Sequence, residues 1–314
     1  MGTGTWALFW AVILLLATVG LRQASGQNLP LAPGLGLDKL MQGLDFLKKY
    51  AYIDIDAGKE GNGLDMDMVR RGIEQFQTFH DLPTTGLFDP PSLERMEVPR
   101  CGSADPVFAS ADERGRFRYG LEGGRWNKTD LTIRISRIPK GKSKRQVRRT
   151  LREACRVWSG RSPLKFTEVR SGRADIHVRF MGTMDHGDRR PFWKPMEEIG
   201  HAFPATDPRT PGEIHLDASE NFTFEDESDG IDLFQTLVHQ IGHTIGFGHS
   251  PDPQSVMYPL VRPRDPDFGL TGDDMAGLHA LYGPVMPVSE LKSQTGACAK
   301  LRDMSFDEVA VIMG

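Results

Sequence analysis

At 314 residues the chain is long enough for about two domains and a proper core. Its 38 basic and 42 acidic side chains leave a net charge of −4, which gives no basis for a nucleic-acid or anionic-membrane partner. Three cysteines cannot all pair within one chain.

Residues 6–19 are apolar almost without interruption, begin at the N-terminus and are too short for an ordinary membrane span. Ala24, Ser25 and Gly26 supply the small residues of a cleavage site, so residues 1–26 read as a signal peptide, with a short signal anchor as the alternative. No later stretch reaches the length of a transmembrane helix, and the expected location is extracellular. Asn127 and Asn221 each open a sequon that can accept a glycan in that setting.

After a Pro/Gly-rich lead-in, Leu40, Leu44 and Leu47 recur at helical spacing and predict a helix over 37–52. A second is expected over 67–79, with Val69, Ile73 and Phe76 inward. A short third near 91–96 follows the breaker-rich loop 82–86. Behind this three-helix unit, Pro99 and Gly102 favour an extended course and close backbone approach. Cys101, displayed between them, can deliver a thiolate to the open position of a metal ion; a free thiol in a linker is the plain alternative. Arg114 to Arg118 form a natural point for proteolytic nicking, and no paired-basic convertase site precedes the next domain.

From Trp126 strands and helices alternate. Strands are expected over 131–135, 164–169, 174–180, 199–203 and 213–217. Helices are expected over 145–158, 232–245 and 271–282, the last with Thr271 and Asp274 at capping-box spacing. The predicted fold class is α/β (α+β), a twisted mixed five-stranded sheet with three helices behind the small helical unit. Lys142 to Arg145 read as a solvated helix start, and Cys155 as a small buried side chain.

In the 232–245 helix, His239 and His243 are four apart and share one face. Gly246 and Gly248 let the backbone turn so that His249 can reach the same point. Three imidazoles with one open position describe a catalytic zinc. The pattern matches H-E-x-x-H-x-x-G-x-x-H with a later Met turn at Met257, except that the general-base Glu is replaced by Gln240. His186, Asp188, His201 and His215 make a complete tetrahedral set for a structural zinc, with ordinary loop and strand positions as the alternative.

Taken together, Pro99-Arg100-Cys101-Gly102 and the 239–249 helix resemble the cysteine-switch motif and the zinc helix of matrix metalloproteinases, a metzincin family. The resemblance runs from about 37 to 283. It implies a pro-segment over 27–120, with its switch at 99–105 held by Arg100 and Asp105, and a zinc metallopeptidase-like domain over 121–283. It also implies two zinc ions, with Cys101 on the catalytic one in the latent form. Ser103 and Ala104 depart from the usual switch residues. Calcium is implied beside the structural zinc, with Asp217 and Glu220 as ligands, and at another site through Asp175. At the site beside the structural zinc, Trp193 stands where the family has an Asp, and Lys194, Met196 and Glu197 stand for glycines, with Glu197 or Glu198 as candidate substitutes. The pocket for the residue after the scissile bond would have Tyr258, Pro259 and Leu260 as one wall, and Gln235 where the family tunes its depth. Extracellular matrix and other secreted proteins are the implied substrates, and tissue inhibitors of metalloproteinases the implied partners. Residues 284–297 read as a linker. Cys298 with 304–309 is similar to the opening of a hemopexin-like domain, and a short tail is the alternative.

Gln keeps the shape of Glu, but its amide cannot accept a proton at neutral pH, and loss of a positioned base costs about 10²–10⁴ in rate. Three readings follow. One is a secreted, latent zinc metalloendopeptidase homologue with weak or no hydrolysis. Another is a non-catalytic cleft that binds peptides or inhibitors, a pseudoprotease. The third is an ordinary protease carrying an engineered or erroneous Gln240.

Overall fold

The computed structural model describes residues 29–54, 65–105, 124–139, 141–182, 184, 187–188, 190–192, 196–224 and 229–284. The expected signal peptide, the nicking point at 114–118, His186, Trp193, Lys194 and the segment around Cys298 lie outside the described residues.

Three helices come first: α1 (Leu37–Lys49), α2 (Met66–Phe79) and α3 (Pro90–Met96). Their apolar faces close on Leu47, Ile73, Phe76 and Phe88, all fully buried, and this small core is separate from the main one. Helix α1 stops short of the predicted end. Ala51 takes a positive φ of 65°, and the Tyr52 and Ile53 amides fold back onto the Leu47 carbonyl. Asp65 and Asp89 cap α2 and α3 through their side chains, the latter with proline in the first turn.

The chain then contributes β1 (Arg100–Cys101), β2 (Asp130–Ser136), α4 (Lys144–Ser159), β3 (Lys165–Glu168) and β4 (Ile176–Met181). Next come β5 (Glu198–Ala202), β6 (Glu213–Asp217), β7 (Phe222–Thr223), β8 (Ile231–Asp232), α5 (Leu233–Thr244) and α6 (Gly272–Tyr282). The main sheet has the order β1-β5-β6-β4-β2-β3, parallel except for the antiparallel β5–β6 pair. It is six-stranded where the sequence predicted five. The extra strand is β1, which pairs in parallel with the free edge of β5. Strands β7 and β8 form a small second sheet that was not expected, because two residues carry no readable period.

Helices α4 and α5 pack together against the sheet around Leu151, Trp158, Leu237 and Ile241. The Trp158 indole donates to the Val238 carbonyl at 3.0 Å, which fixes α4 against the middle of α5. Ser143 caps α4, and the Thr271–Asp274 capping box closes as predicted. Cys155 is buried in α4, where desolvation pushes its thiol up to about 12. Among the described residues no helix is long and apolar enough to cross a membrane.

Candidate metal centres and cleft

Helix α5 starts at Asp232, whose carboxylate accepts from the Gln235 amide, and nearly every later position in it is buried. Gly242 faces Met257. A Cβ there would sit 2.3 Å from the Met257 sulfur and 3.0 Å from the Trp158 ring, so only glycine lets Met257 lie under the histidines. Gly242→Ala should therefore overpack this floor and cost about 1–3 kcal/mol, read as a lower denaturation midpoint. Past the helix, Gly246 at φ 106° turns the chain and returns His249 to the same point.

The Nε2 of His243 lies 3.1 Å from that of His239, 3.2 Å from that of His249 and 3.4 Å from the Cys101 sulfur. Each imidazole has its other nitrogen held: His239 Nδ1 donates to Val256 O at 2.9 Å, His243 Nδ1 to Phe247 O at 2.8 Å and His249 Nδ1 to Asp105 at 2.7 Å. With the proton on Nδ1, three Nε2 lone pairs converge, which is unfavourable unless a cation lies between them. The spacing fits one, since a tetrahedral ion with bonds of about 2.0 Å to nitrogen separates its ligands by about 3.3 Å. All four ligand side chains are buried. At His239 burial dominates and pushes the imidazole down to about 4. At His249 burial is outweighed by Cys101 and Asp105, which raise it to about 9. Burial also opposes ionisation of Cys101, yet the three imidazoles, His243 foremost, hold its thiol well below the usual range.

Gln240 is fully buried beside this cluster. Its Nε2 lies 3.3 Å from the Cys101 sulfur and 3.3 Å from the Gly200 carbonyl, while Oε1 has no hydrogen-bond partner among the described residues.

The segment carrying Cys101 threads between β5 and residues 259–261. Arg100 N donates to Glu197 O at 3.0 Å, Gly102 N to Gly200 O at 2.8 Å and Cys101 N to Pro259 O at 2.9 Å. Gly102 is needed, because a Cβ would sit 1.8 Å from the Glu198 carboxylate. The Arg100 guanidinium stacks 3.8 Å from the Tyr50 ring centroid and grips Asp105 through two bonds of 2.9 and 2.6 Å. Tyr52 adds a third bond to Asp105 at 2.7 Å. Burial works against that carboxylate, but Arg100 and His249 hold it well below the usual range.

A second buried cluster joins Asp188, His201 and His215. One Asp188 oxygen lies 2.8 Å from His201 Nε2 and 2.7 Å from His215 Nδ1, and the two nitrogens are 3.3 Å apart. The predicted fourth member, His186, is outside the described residues. Glu198 holds the far nitrogen of His201 at 2.6 Å. Glu198 and Glu197 both ion-pair with Lys49 of α1 at 3.0 Å. Neither was expected there. The resemblance offers one or the other as a substitute ligand in the calcium loop, and in the structure both pair with Lys49 across α1 and the β5 edge. Met196 holds a left-handed φ of 58°, the backbone that the family's glycine adopts freely.

Of the predicted calcium ligands, Asp217 and Glu220 stay together, the Glu220 amide donating to the Asp217 carbonyl at 3.2 Å. Asp217 spends one oxygen on Ser219 and has the other buried without a partner among the described residues. Glu220 accepts from Met196 N at 2.5 Å, and burial raises its carboxyl. Asp175 accepts from the Thr132 amide and hydroxyl and pairs with the Lys128 ammonium at 2.7 Å. The substrate-pocket residues do assemble. Gln235, Tyr258, Pro259 and Leu260 line a cavity of about 40 Å³ beside His239 and Gln240. Gln235 also accepts from Asp265 N at 2.7 Å and donates to Pro263 O at 3.4 Å, bracing the loop that closes the pocket.

Residues 125–283 match the Matrixin family, Peptidase_M10. The chain is 39% identical to stromelysin-3 of Rattus norvegicus over 233 residues, which is 68% of this chain and 46% of that relative. It is 36% identical to matrix metalloproteinase-20 of Homo sapiens over 243 residues, covering 74% of this chain and 48% of the relative. Against matrilysin of Rattus norvegicus it is 34% identical over 243 residues, with 77% and 85% covered. The chain thus spans about half the length of the first two and most of the third. A mainly parallel sheet behind a helix that carries two of the three clustered histidines, together with these likenesses, places the chain in the matrixin family, the matrix metalloproteinases.

Proposed function

We propose that the protein is a secreted, latent zinc metalloendopeptidase homologue whose hydrolytic activity is weak or absent. The observation that carries this reading is the convergence of three Nδ1-held imidazoles and Cys101 on one point, with an amide rather than a carboxylate beside them. The three helices and the 99–105 loop are its pro-segment. Residues 1–26 are its signal peptide, and 121–283 its metallopeptidase-like domain. Bound to His239, His243 and His249, zinc would polarise a substrate carbonyl and acidify water. Gln240 can orient such a water by donating or accepting a hydrogen bond, but it cannot take the proton. Tyr258, Pro259, Leu260 and Gln235 shape the pocket for the residue that follows the cut. Extracellular proteins are the substrates, and tissue inhibitors of metalloproteinases are partners of the same cleft. Asp188, His201 and His215, with His186, hold a structural zinc, and Asp217 with Glu220 offers oxygens for calcium. The missing carboxylate also favours a second reading, in which the cleft binds peptides without cutting them.

Metal analysis of the purified full chain tests the foundation. Two zinc atoms per chain are expected, with His239→Ala losing one and His201→Ala the other. A chain that binds no zinc at near-neutral pH, while keeping its circular dichroism, would end this reading.

A further inference from the structure

We propose that the outer face of α4 is a binding surface for a linear, sulfated polysaccharide, held by Arg145, Arg149, Arg152 and Arg156. The surface goes beyond the function proposed above and needs neither zinc nor a working base; only the choice of an extracellular polyanion leans on that reading.

Charge in this chain is unevenly placed. Residues 134–173 hold 14 of its 38 basic side chains and two of its 42 acids, a local charge of +12 against −16 for the remainder. Helix α4 gathers six of those basic residues against one acid, Glu153. Its arginines at 145, 149, 152 and 156 recur at intervals of four, three and four, so they form one stripe about 16 Å long. All four are exposed, and the stripe lies opposite the buried face of Val147, Leu151, Ala154 and Trp158.

This arrangement costs the helix stability. Lys144 and Arg145 put positive charge at the positive end of the helix dipole, and the arginines repel one another at i,i+3 and i,i+4 spacing. Relief is partial. Glu168 pairs with Arg148 and Arg152, and Glu153 pairs with Arg149 at 2.8 Å. Among the described residues no acid pairs with Lys144, Arg145 or Arg156. A bound polyanion would neutralise the whole line at once.

The partner's class follows from what surrounds the stripe. Guanidinium groups grip the oxygens of an oxyanion through paired donors. Arg149 and Arg156 also border a cleft of about 370 Å³ whose wall carries Arg264, which leaves room for a sugar ring beside the charges. Glu153, Asp232 and Asp265 line the same cleft, so it offers acceptors to hydroxyl groups as well as donors to sulfate. A thin chain can follow the stripe alone, whereas a nucleic-acid duplex or a lipid sheet is broad enough to meet the acidic remainder of the molecule. The apolar face of α4 is already used by the core, so none is left to enter a bilayer.

The test measures dissociation constants of the full chain for heparin, a DNA duplex and phosphatidylserine vesicles across a range of salt. The stripe variant is Arg145→Gln/Arg149→Gln/Arg156→Gln. Its charge-matched control is Arg70→Gln/Arg71→Gln/Arg209→Gln, three exposed positions elsewhere. Arg145→Gln/Arg156→Gln, which breaks no ion pair among the described residues, guards against a folding loss, and circular dichroism is recorded for every chain. We expect parent and control to bind heparin alike. The stripe variant should bind it roughly 10- to 100-fold more weakly, with a shallower dependence on salt, and the double variant should fall between. Unchanged heparin affinity in the stripe and double variants, or an equal loss in the control, overturns the surface. A duplex or vesicles held as tightly as heparin at the same salt overturns the choice of partner. None of these readouts depends on zinc or hydrolysis, so the metallopeptidase reading stands or falls separately.

Discussion

Restoring a carboxylate at position 240 should raise chelator-sensitive peptide hydrolysis by about 10²–10⁴-fold once Cys101 has been displaced. Gln240 already sits beside the histidine cluster and the β5 edge, fully buried and of nearly the same shape as Glu, so Gln240→Glu changes chemistry with little change in packing. What it adds is a group able to accept a proton from the attacking water and return it to the leaving amine. The measurement is kcat/KM on a peptide substrate for both chains at matched zinc content, after a thiol reagent has removed Cys101 from the site. Comparable chelator-sensitive rates would mean that another group supplies the base and that the amide is no handicap.

The second large effect is expected at Arg100→Ala. Its guanidinium is 1% exposed and is the main cationic partner of a carboxylate that is also buried. Removing one member of such a pair typically costs about 3–5 kcal/mol, because the remaining charge stays buried and uncompensated. The chain should show a lower unfolding midpoint for the N-terminal helices and an exposed Cys101. Removing Asp105 as well should recover part of the loss, and a double variant no better than the single one would contradict the pairing argument. The pH sense is fixed by the depressed Asp105 carboxyl. Its stabilisation is complete above about pH 4, the ordinary carboxylate value, and fades as pH falls through the lowered value in the folded state.

Much of this architecture was readable from spacing alone. Leu40, Leu44 and Leu47 announced α1; His239 and His243 announced a helical face; Thr271 and Asp274 announced a cap. Each is a local pattern, in which the residues that interact are three or four apart. What escaped the sequence depends on partners far along the chain. Strand β1 exists only because residues 100–101 meet β5, nearly a hundred residues later, and two residues have no periodicity of their own. The bond between Asp105 and His249 joins the 99–105 loop to a histidine of the buried cluster through no motif. The contacts of Glu198 with Lys49 and His201 also join residues that no local pattern links. The ion pair between Asp175 and Lys128, at 2.7 Å, likewise had no signal in the sequence.

The position of β1 has a consequence for handling and for biology alike. With residues 100–102 in place, β5 is an interior strand; without them it is a sheet edge, with the Glu197 and Gly200 carbonyls open to any extended chain that arrives. The groove that would receive a peptide is then also a template for self-association. Residues 100–102 therefore cap this edge, and a chain cut away from them should be the form most inclined to precipitate.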